Sequence, residues 1–285
     1  YHCAVLSYRP TPTLAIAQLG YWCTTSALAN ATAEESALWV SLIIKTESMK
    51  ISVVINTYNA EKHLRTVLDT VKDFDEVVIC DMHSTDSTIA IAEQYGCKIV
   101  YCERAPYVEP ARNYAIAQTT HPWLLVIDAD ETVPEKLKEY LYKIAETPNL
   151  GGVYIPFKNY FMGKYMRSAF PDFKLRFFKK EGAYWPPEIH STVKVQGQVI
   201  KMPRHRPDLA SEHLANDSVT TILSKNNNYS TQAADQRKGK KIGWLKLLFS
   251  PLFWFIKYYF IKKGCLDGKK GFIFAVLKAQ YKFSC

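Results

Sequence analysis

Five apolar residues, Trp123 to Ile127, run without a break and then meet three carboxylates in four positions, Asp128-Ala-Asp130-Glu131. A run this short and this rich in branched side chains predicts a strand buried on both faces. The acids then emerge where the strand leaves the sheet, and in open α/β sheets that carboxyl edge is where ligands bind. Asp128 and Asp130 stand one residue apart. Two such charges are costly to hold together unless a cation or a phosphate-bound metal shares them. Two readings stay open at this point: a metal and nucleotide site, or an acidic turn before a helix that follows Pro134.

The preceding chain repeats the pattern. Ile51 to Ile55 is a β-branched run ending in Asn56-Thr-Tyr-Asn59, and a helical spacing of Leu64, Val67, Leu68 and Val71 follows. Val77 to Cys80 predicts a second strand ending at Asp81, and Ser84-Thr-Asp86-Ser-Thr88 caps the next helix. Lys98 to Tyr101 predicts a third strand, and Pro110-Ala-Arg112-Asn113 opens a helix before Trp123. Strands and helices alternating at this spacing indicate a parallel, doubly wound sheet with three polar strand ends on one edge. No Gly-x-Gly-x-x-Gly or Walker loop occurs, which argues against a dinucleotide dehydrogenase or a P-loop enzyme.

Beyond Pro134 the spacing predicts a helix through Leu137, Leu141 and Ile144 that Gly151-Gly152 ends. Val153 to Phe157, Lys174 to Lys179 and Thr192 to Val195 read as strands of a more antiparallel, aromatic-rich region. Its aromatics suit either a core or the faces of sugar rings. Asn226 to Ser230 is expected to close a helical stretch. Trp244 to Ile261 carries an apolar stripe, with Lys246 and Lys257 sharing a face, and Gly268-Lys-Lys-Gly271 separates it from Phe272 to Phe283.

The formal net charge is +9. It concentrates at the C-terminus, where eight lysines from Trp244 onward face one acid, Asp267. Between Lys246 and Lys257 lie too few residues to span a bilayer. Lysines and aromatics around an apolar face describe a helix lying in a membrane interface; an ordinary packed helix pair with solvated lysines is the alternative. The seven cysteines form no Cys-x-x-Cys pair, so neither a zinc site nor a disulfide framework is indicated, and a reducing compartment fits. Residues 1–48 are rich in Ala, Thr and Ser without a clear period. They are expected to be an extension outside the fold, the working chain beginning at Met49.

Four stretches in order, Ser52-Val-Val-Ile-Asn-Thr-Tyr-Asn59, Cys80-Asp-Met-His-Ser-Thr-Asp86, Ala111-Arg-Asn113 and Ile127-Asp-Ala-Asp-Glu131, resemble family 2 glycosyltransferases of the GT-A fold. The likeness is greatest to the lipopolysaccharide core β-1,4-glucosyltransferase-like subgroup and runs from about Met49 to the end. It implies a Rossmann-like, mostly parallel α/β sheet as the catalytic domain over 49–215, followed by a basic, amphipathic helical appendage over 216–285. It implies inverting transfer of a sugar from a nucleotide-sugar donor, a UDP-sugar in expectation, to a lipid-linked or cell-envelope saccharide. The expected place is the cytoplasmic face of an inner membrane, with an anionic bilayer and no nucleic acid as partner.

The resemblance also implies roles. Asn56, Thr57, Tyr58 and Asn59 would hold the base and ribose, with Asp81 accepting from the base and Asp86 beside it. Arg112 and Arg176 would lie near the diphosphate, Asp128 would face the nucleoside, and Asp130 would bind Mg²⁺ or Mn²⁺. Glu131 is expected to do no more than favour the next helix. The family's His-Glu pair aligns with His190 and Ser191, so the base is either His190 or Glu188. A nucleotidyltransferase, or a non-catalytic membrane-surface protein that keeps the fold, are the competing classes.

Overall fold

The computed structural model describes residues 49–104, 108–188, 191–214, 217–235 and 243–285. The expected extension, residues 1–48, lies outside them. Residues 49–285 form one compact unit. Its first half alternates as the sequence predicts: β1 (Ile51–Thr57), α1 (Glu61–Val71), β2 (Glu76–Asp81), α2 (Thr88–Gln94), β3 (Lys98–Tyr101), α3 (Glu109–Ala117) and β4 (Trp123–Asp128). Then come β5 (Glu131–Thr132), α4 (Glu135–Ala145), β6 (Leu150–Phe161), β7 (Lys164–Tyr165), β8 (Asp172–Lys179), β9 (Gln198–Lys201) and β10 (Ser211–His213). Near the C-terminus the described residues form the α-helices α5 (Val219–Asp235), α6 (Trp244–Ile256) and α7 (Gly268–Ser284).

The sheet runs β3-β2-β1-β4-β8-β6-β10-β5, with β7 and β9 paired to β6. The first four strands are mutually parallel, and β8 is antiparallel to both β4 and β6. The register sets the three polar strand ends side by side: Asn56 opposite both Cys80 and Asp128, and Thr57 opposite Asp81.

Side chains alternate across the pleat. Ile51, Val53 and Ile55 of β1, with Trp123, Leu125 and Ile127 of β4, enter the larger core, which also takes Leu64, Val67 and Leu68 of α1. Val54, Leu124 and Val126 face the other way, onto Ala115 and Ile116 of α3. By the same alternation Asn56 and Asp128 leave the sheet on the α3 side. Trp123 stacks on Phe177 of β8 at 4.7 Å, both rings fully buried, and that pair ties the parallel half of the sheet to the antiparallel half.

Four expectations need correcting. Gly151-Gly152 lies within β6, where a Cβ on Gly151 would sit 1.7 Å from the Gln196 carbonyl oxygen, so glycine permits a close crossing there. Residues 192–195 make only the isolated bridge of Lys194 to Tyr184, and Gln198–Lys201 is the strand. Residues 226–230 fall inside α5 instead of ending it. Gly271 lies inside α7, because a Cβ there would come within 2.0 Å of the Gly264 carbonyl oxygen; it lets the helix start against the preceding turn.

The C-terminal helices share a third cluster with the sheet's far end: Phe161, Met166 and Ala169 with Ile222 of α5 and Phe274 and Leu277 of α7. Phe177→Ala is expected to cost about 3–5 kcal/mol of stability, since it opens a cavity against Trp123 where two core layers meet. Urea unfolding with an unchanged slope measures it; a loss under about 1 kcal/mol would show that the two halves hold together without the stack.

Candidate active site

The carboxyl edge of the parallel strands opens into a cleft of about 1060 Å³. The pleat and three helices aim charged groups into it. Asp128, at the end of β4, accepts from Arg112 of α3 at 2.7 Å on Oδ1 and from Arg176 of β8 at 2.6 Å on Oδ2. Arg176 reaches that position because the β6–β8 register skips it: Val153 faces Phe177 and Tyr154 faces Leu175. A bulge of this kind re-aims a side chain next to a site. Asn113, the next residue after Arg112, binds both the Trp185 carbonyl (2.7 Å) and its N–H (2.8 Å). This holds the Trp185 ring 4.4 Å from the Arg112 guanidinium.

Glu131 does not cap the following helix. It is fully buried and accepts from Lys174 at 2.7 Å and Arg176 at 3.4 Å, while its other oxygen takes the Asp128 N–H at 3.0 Å. Three cations, Arg112, Arg176 and Lys174, surround the two carboxylates Asp128 and Glu131, which leaves the network one positive charge in excess. Burial alone would raise the Asp128 carboxyl, but Arg176 and Arg112 overcome it and hold it well below the usual carboxylate range. Glu131 is lowered against its own burial, chiefly by Arg176. Burial pushes the Arg112 guanidinium down, with Asp128 opposing, while Asp128 and Glu131 more than offset burial at Arg176 and push it up.

Asp130 has the opposite fate. Its Oδ1 is buried without a hydrogen-bond partner. Burial raises its carboxyl, His213 opposes, and Asp128 and Glu131 add to the rise. His213 Nε2 lies 3.5 Å from that oxygen. Main-chain pairing fixes the approach: His213 sits opposite Glu131 in the β5–β10 ladder, and Leu214 N–H donates to the Asp130 carbonyl at 2.9 Å. On the other side of the ring, Nδ1 meets Asn159 Oδ1 at 2.9 Å. Asn159 points its Nδ2 at Ala169 O and Asp172 Oδ2, both 3.4 Å away, so Oδ1 accepts the Nδ1 proton, and in the neutral ring Nε2 is then the nitrogen with the lone pair.

An orphan carboxylate oxygen facing a lone-pair imidazole nitrogen fits a divalent cation. Among the described residues no group of three or more His, Cys, Asp or Glu converges on a metal. A cation at Asp130 and His213 therefore needs further oxygen ligands from outside the chain, as Mg²⁺ commonly takes from phosphates and water.

Of the residues singled out from sequence, Asn56, Thr57, Tyr58, Arg112, Asp128, Asp130 and Arg176 line the cleft together. Both amide atoms of buried Asn56 lack a partner, as do Arg112 Nε and Nη1 and Arg176 Nη1. All three residues line the cleft, and unsatisfied polar groups of this kind suit an anionic, hydrogen-bonding ligand. Tyr58 stacks under the Arg104 guanidinium at 4.0 Å.

Asn59, Asp81, Asp86 and Glu188 do not line the cleft. Asp81 is fully buried behind it, accepting from Thr57 Oγ1 at 2.7 Å and from the Ser84 N–H and hydroxyl at 2.7 and 2.6 Å. Asn59 accepts from Thr85 N–H at 2.8 Å, and Asp86 takes the Thr88 and Glu61 N–H groups, so both brace the turns that follow β1 and β2. Glu188 is exposed in a bend after Pro186-Pro187, not on a strand, because consecutive prolines remove the ladder donors. His190 lies outside the described residues. Sequence reasoning missed His213 and Lys174. No spacing rule links His213 to Asp130, and Lys174 read as an ordinary strand lysine.

The family model described as Glycosyl transferase family 2 matches residues 52–195. An uncharacterized glycosyltransferase of Rickettsia felis is 27% identical over 82% of this chain and 87% of its own length. The lipopolysaccharide core biosynthesis glycosyltransferase LpsC of Rhizobium meliloti is 28% identical over 82% and 90%. A solved mannosyltransferase of Pyrobaculum calidifontis, in complex with GDP-Man and Mn²⁺, is 16% identical over 83% of this chain and 74% of that one, with a TM-score of 0.49.

Stability should fall with acid in a defined window. Asp128 and Glu131 have folded-state pKa values below their unfolded ones, so their contribution is complete above about pH 4–5 and is lost as pH falls through the lowered values. Glu131→Gln is expected to cost about 3 kcal/mol at pH 7 by leaving Arg176 and Lys174 short of charge. The deficit relative to the parent should shrink toward pH ~3. Urea unfolding across that range checks it, and a deficit independent of pH would exclude the charge network as its source.

Proposed function

The chain belongs to glycosyltransferase family 2, and from that premise we propose that it is an inverting enzyme that moves a sugar from a nucleotide-sugar donor to a lipid-linked or cell-envelope saccharide. The observation that carries the proposal is the pairing of unpartnered Asp130 Oδ1 with His213 beside the Arg112–Asp128–Arg176 clamp. A diphosphate needs that combination of fixed cations and an open metal position. A UDP-sugar is the expected donor, and the lipopolysaccharide core, for whose biosynthesis the Rhizobium relative is named, is the model for the acceptor.

Asn56, Thr57 and Tyr58 hold the nucleoside end in this reading. Arg112 and Arg176 keep Asp128 neutralised, so that the donor's diphosphate does not meet a bare carboxylate. Asp130 and His213 would hold Mg²⁺ or Mn²⁺, whose charge stabilises the departing nucleoside diphosphate. An acceptor hydroxyl displaces the diphosphate in one step: the new C–O bond forms as the C–O bond to phosphate breaks. A base takes the hydroxyl's proton. Glu188 and His190 remain the candidates for it. In the chain they come shortly before Ser191 and Thr192, which line the cleft. Asp130→Ala and His213→Ala are each expected to lower Mn²⁺-dependent UDP-sugar turnover by about 100-fold or more. Unchanged turnover in Asp130→Ala would remove the metal role and, with it, this mechanism.

The same reading sets the enzyme on a membrane surface. On α6, Trp244, Leu245, Leu248, Phe249, Leu252 and Phe253 are all exposed, Trp244 at 85%. Among the described residues no helix is long and apolar enough to cross a membrane. The basic excess of this region complements an anionic bilayer, as at the cytoplasmic face of an inner membrane. Leu248→Glu with Phe249→Glu should weaken binding to phosphatidylglycerol vesicles by about tenfold or more in a sedimentation assay. Equal binding by the parent and this variant would rule out α6 as the contact.

A further inference from the structure

The cleft continues past Asp130 and His213 to an end where α5 and α7 form the wall. Asn226 of α5 donates to the Leu277 carbonyl of α7 at 3.5 Å and meets Gln280 Oε1 at the same distance. That seam brings Lys225, next to Asn226, and Lys278, next to Leu277, into one stretch of cleft lining. Ile222 and Phe274 also line it and anchor the seam in the buried cluster behind.

The two lysines differ from the cations at the other end of the cleft. Lys174 and Arg176 are matched by Glu131 and Asp128 at hydrogen-bond distance. Among the described residues, neither Lys225 nor Lys278 has a carboxylate within ion-pair distance. Lys278 Nζ instead lies 5.1 Å from the Phe274 ring and 6.0 Å from that of Tyr258. Burial lowers the Lys278 pKa, Asp172 opposes, and Lys262 and Lys282 lower it further. Lys225 is within electrostatic reach of Asp130. An ammonium group half-withdrawn from water with no carboxylate in direct contact attracts an anion.

We propose that the end of the cleft bounded by Lys225 and Lys278 is the acceptor subsite and takes a saccharide carrying an anionic group, a phosphate or a carboxylate. The two ammonium groups hold that anion while an acceptor hydroxyl faces the donor across Asp130. The proposal rests on the glycosyl-transfer reading above and adds to it the charge of the acceptor.

Calorimetry on the full chain saturated with UDP and Mg²⁺, which occupy the donor end, tests it. The titrants are glucose 6-phosphate, glucuronate, glucose and glycerol 3-phosphate. At least one anionic sugar is expected to bind about tenfold or more tighter than glucose. Lys225→Ala with Lys278→Met should bring it to the level of glucose while UDP affinity stays within about twofold. Lys225→Arg should keep the preference. If the double variant has also lost UDP binding, Lys225→Gln alone decides by the same criterion.

Three results overturn the proposal: glucose binding as tightly as both anionic sugars, lysine variants that keep the preference, or glycerol 3-phosphate matching glucose 6-phosphate. The last would mean a bare phosphate or lipid headgroup site instead of a saccharide site. Absence of any UDP binding would sink the transfer reading by itself. The titration without nucleotide would then judge the anion site by its dependence on the two lysines.

Discussion

Five charged side chains at the sheet's carboxyl edge depend on one another. Asp128 and Glu131 come from β4 and β5, Arg112 from α3, and Lys174 and Arg176 from β8. Each of the buried charges would be costly alone, and removing one partner leaves another uncompensated. The network closes only when four elements that are separate in sequence have all taken their places. It therefore specifies geometry more than it adds stability. The Arg176 bulge and the Asn113–Trp185 bracket are the local adjustments that let it close.

Two aspartates one residue apart emerge from this with different chemistry. Asp128 leaves the sheet on the α3 side and meets two guanidinium groups. Asp130, past the strand end, meets none. The proposed diphosphate site would use both: a neutralised acid that does not repel the ligand, and an acid left without a cationic clamp that can still accept a metal. The distinction comes from the pleat and the turn, not from any difference in the residues.

The parallel half of the fold was readable because its signals are local. Apolar runs of strand length, the spacing of Leu64, Val67, Leu68 and Val71, and polar strand ends at regular intervals all follow from the period of one element. Arg112, Asp128, Asp130 and Arg176 were identified through stretches resembling a family, and they meet in one cleft. What escaped depended on contacts between distant segments. Glycines 151 and 271 looked like breaks because the carbonyl groups that crowd them belong to other segments. Glu131 looked like a cap because Lys174 and Arg176 reach it from another strand. His213 gave no sign because a three-residue strand, defined only by its neighbours β5 and β6, delivers it.

That short strand has a consequence for how the enzyme is assembled. β10 pairs in parallel with β6 and antiparallel with β5, and its last residue is the imidazole that faces Asp130. The chain must travel from β5 through the whole antiparallel region before it can supply that nitrogen. A molecule with every earlier element folded but β10 undocked would hold the Arg112–Asp128–Arg176 clamp and Asp130 without its facing imidazole. On the proposed reading, divalent-ion affinity would report both that β4 has delivered Asp130 and that the latest long-range pairing, that of β10, has formed.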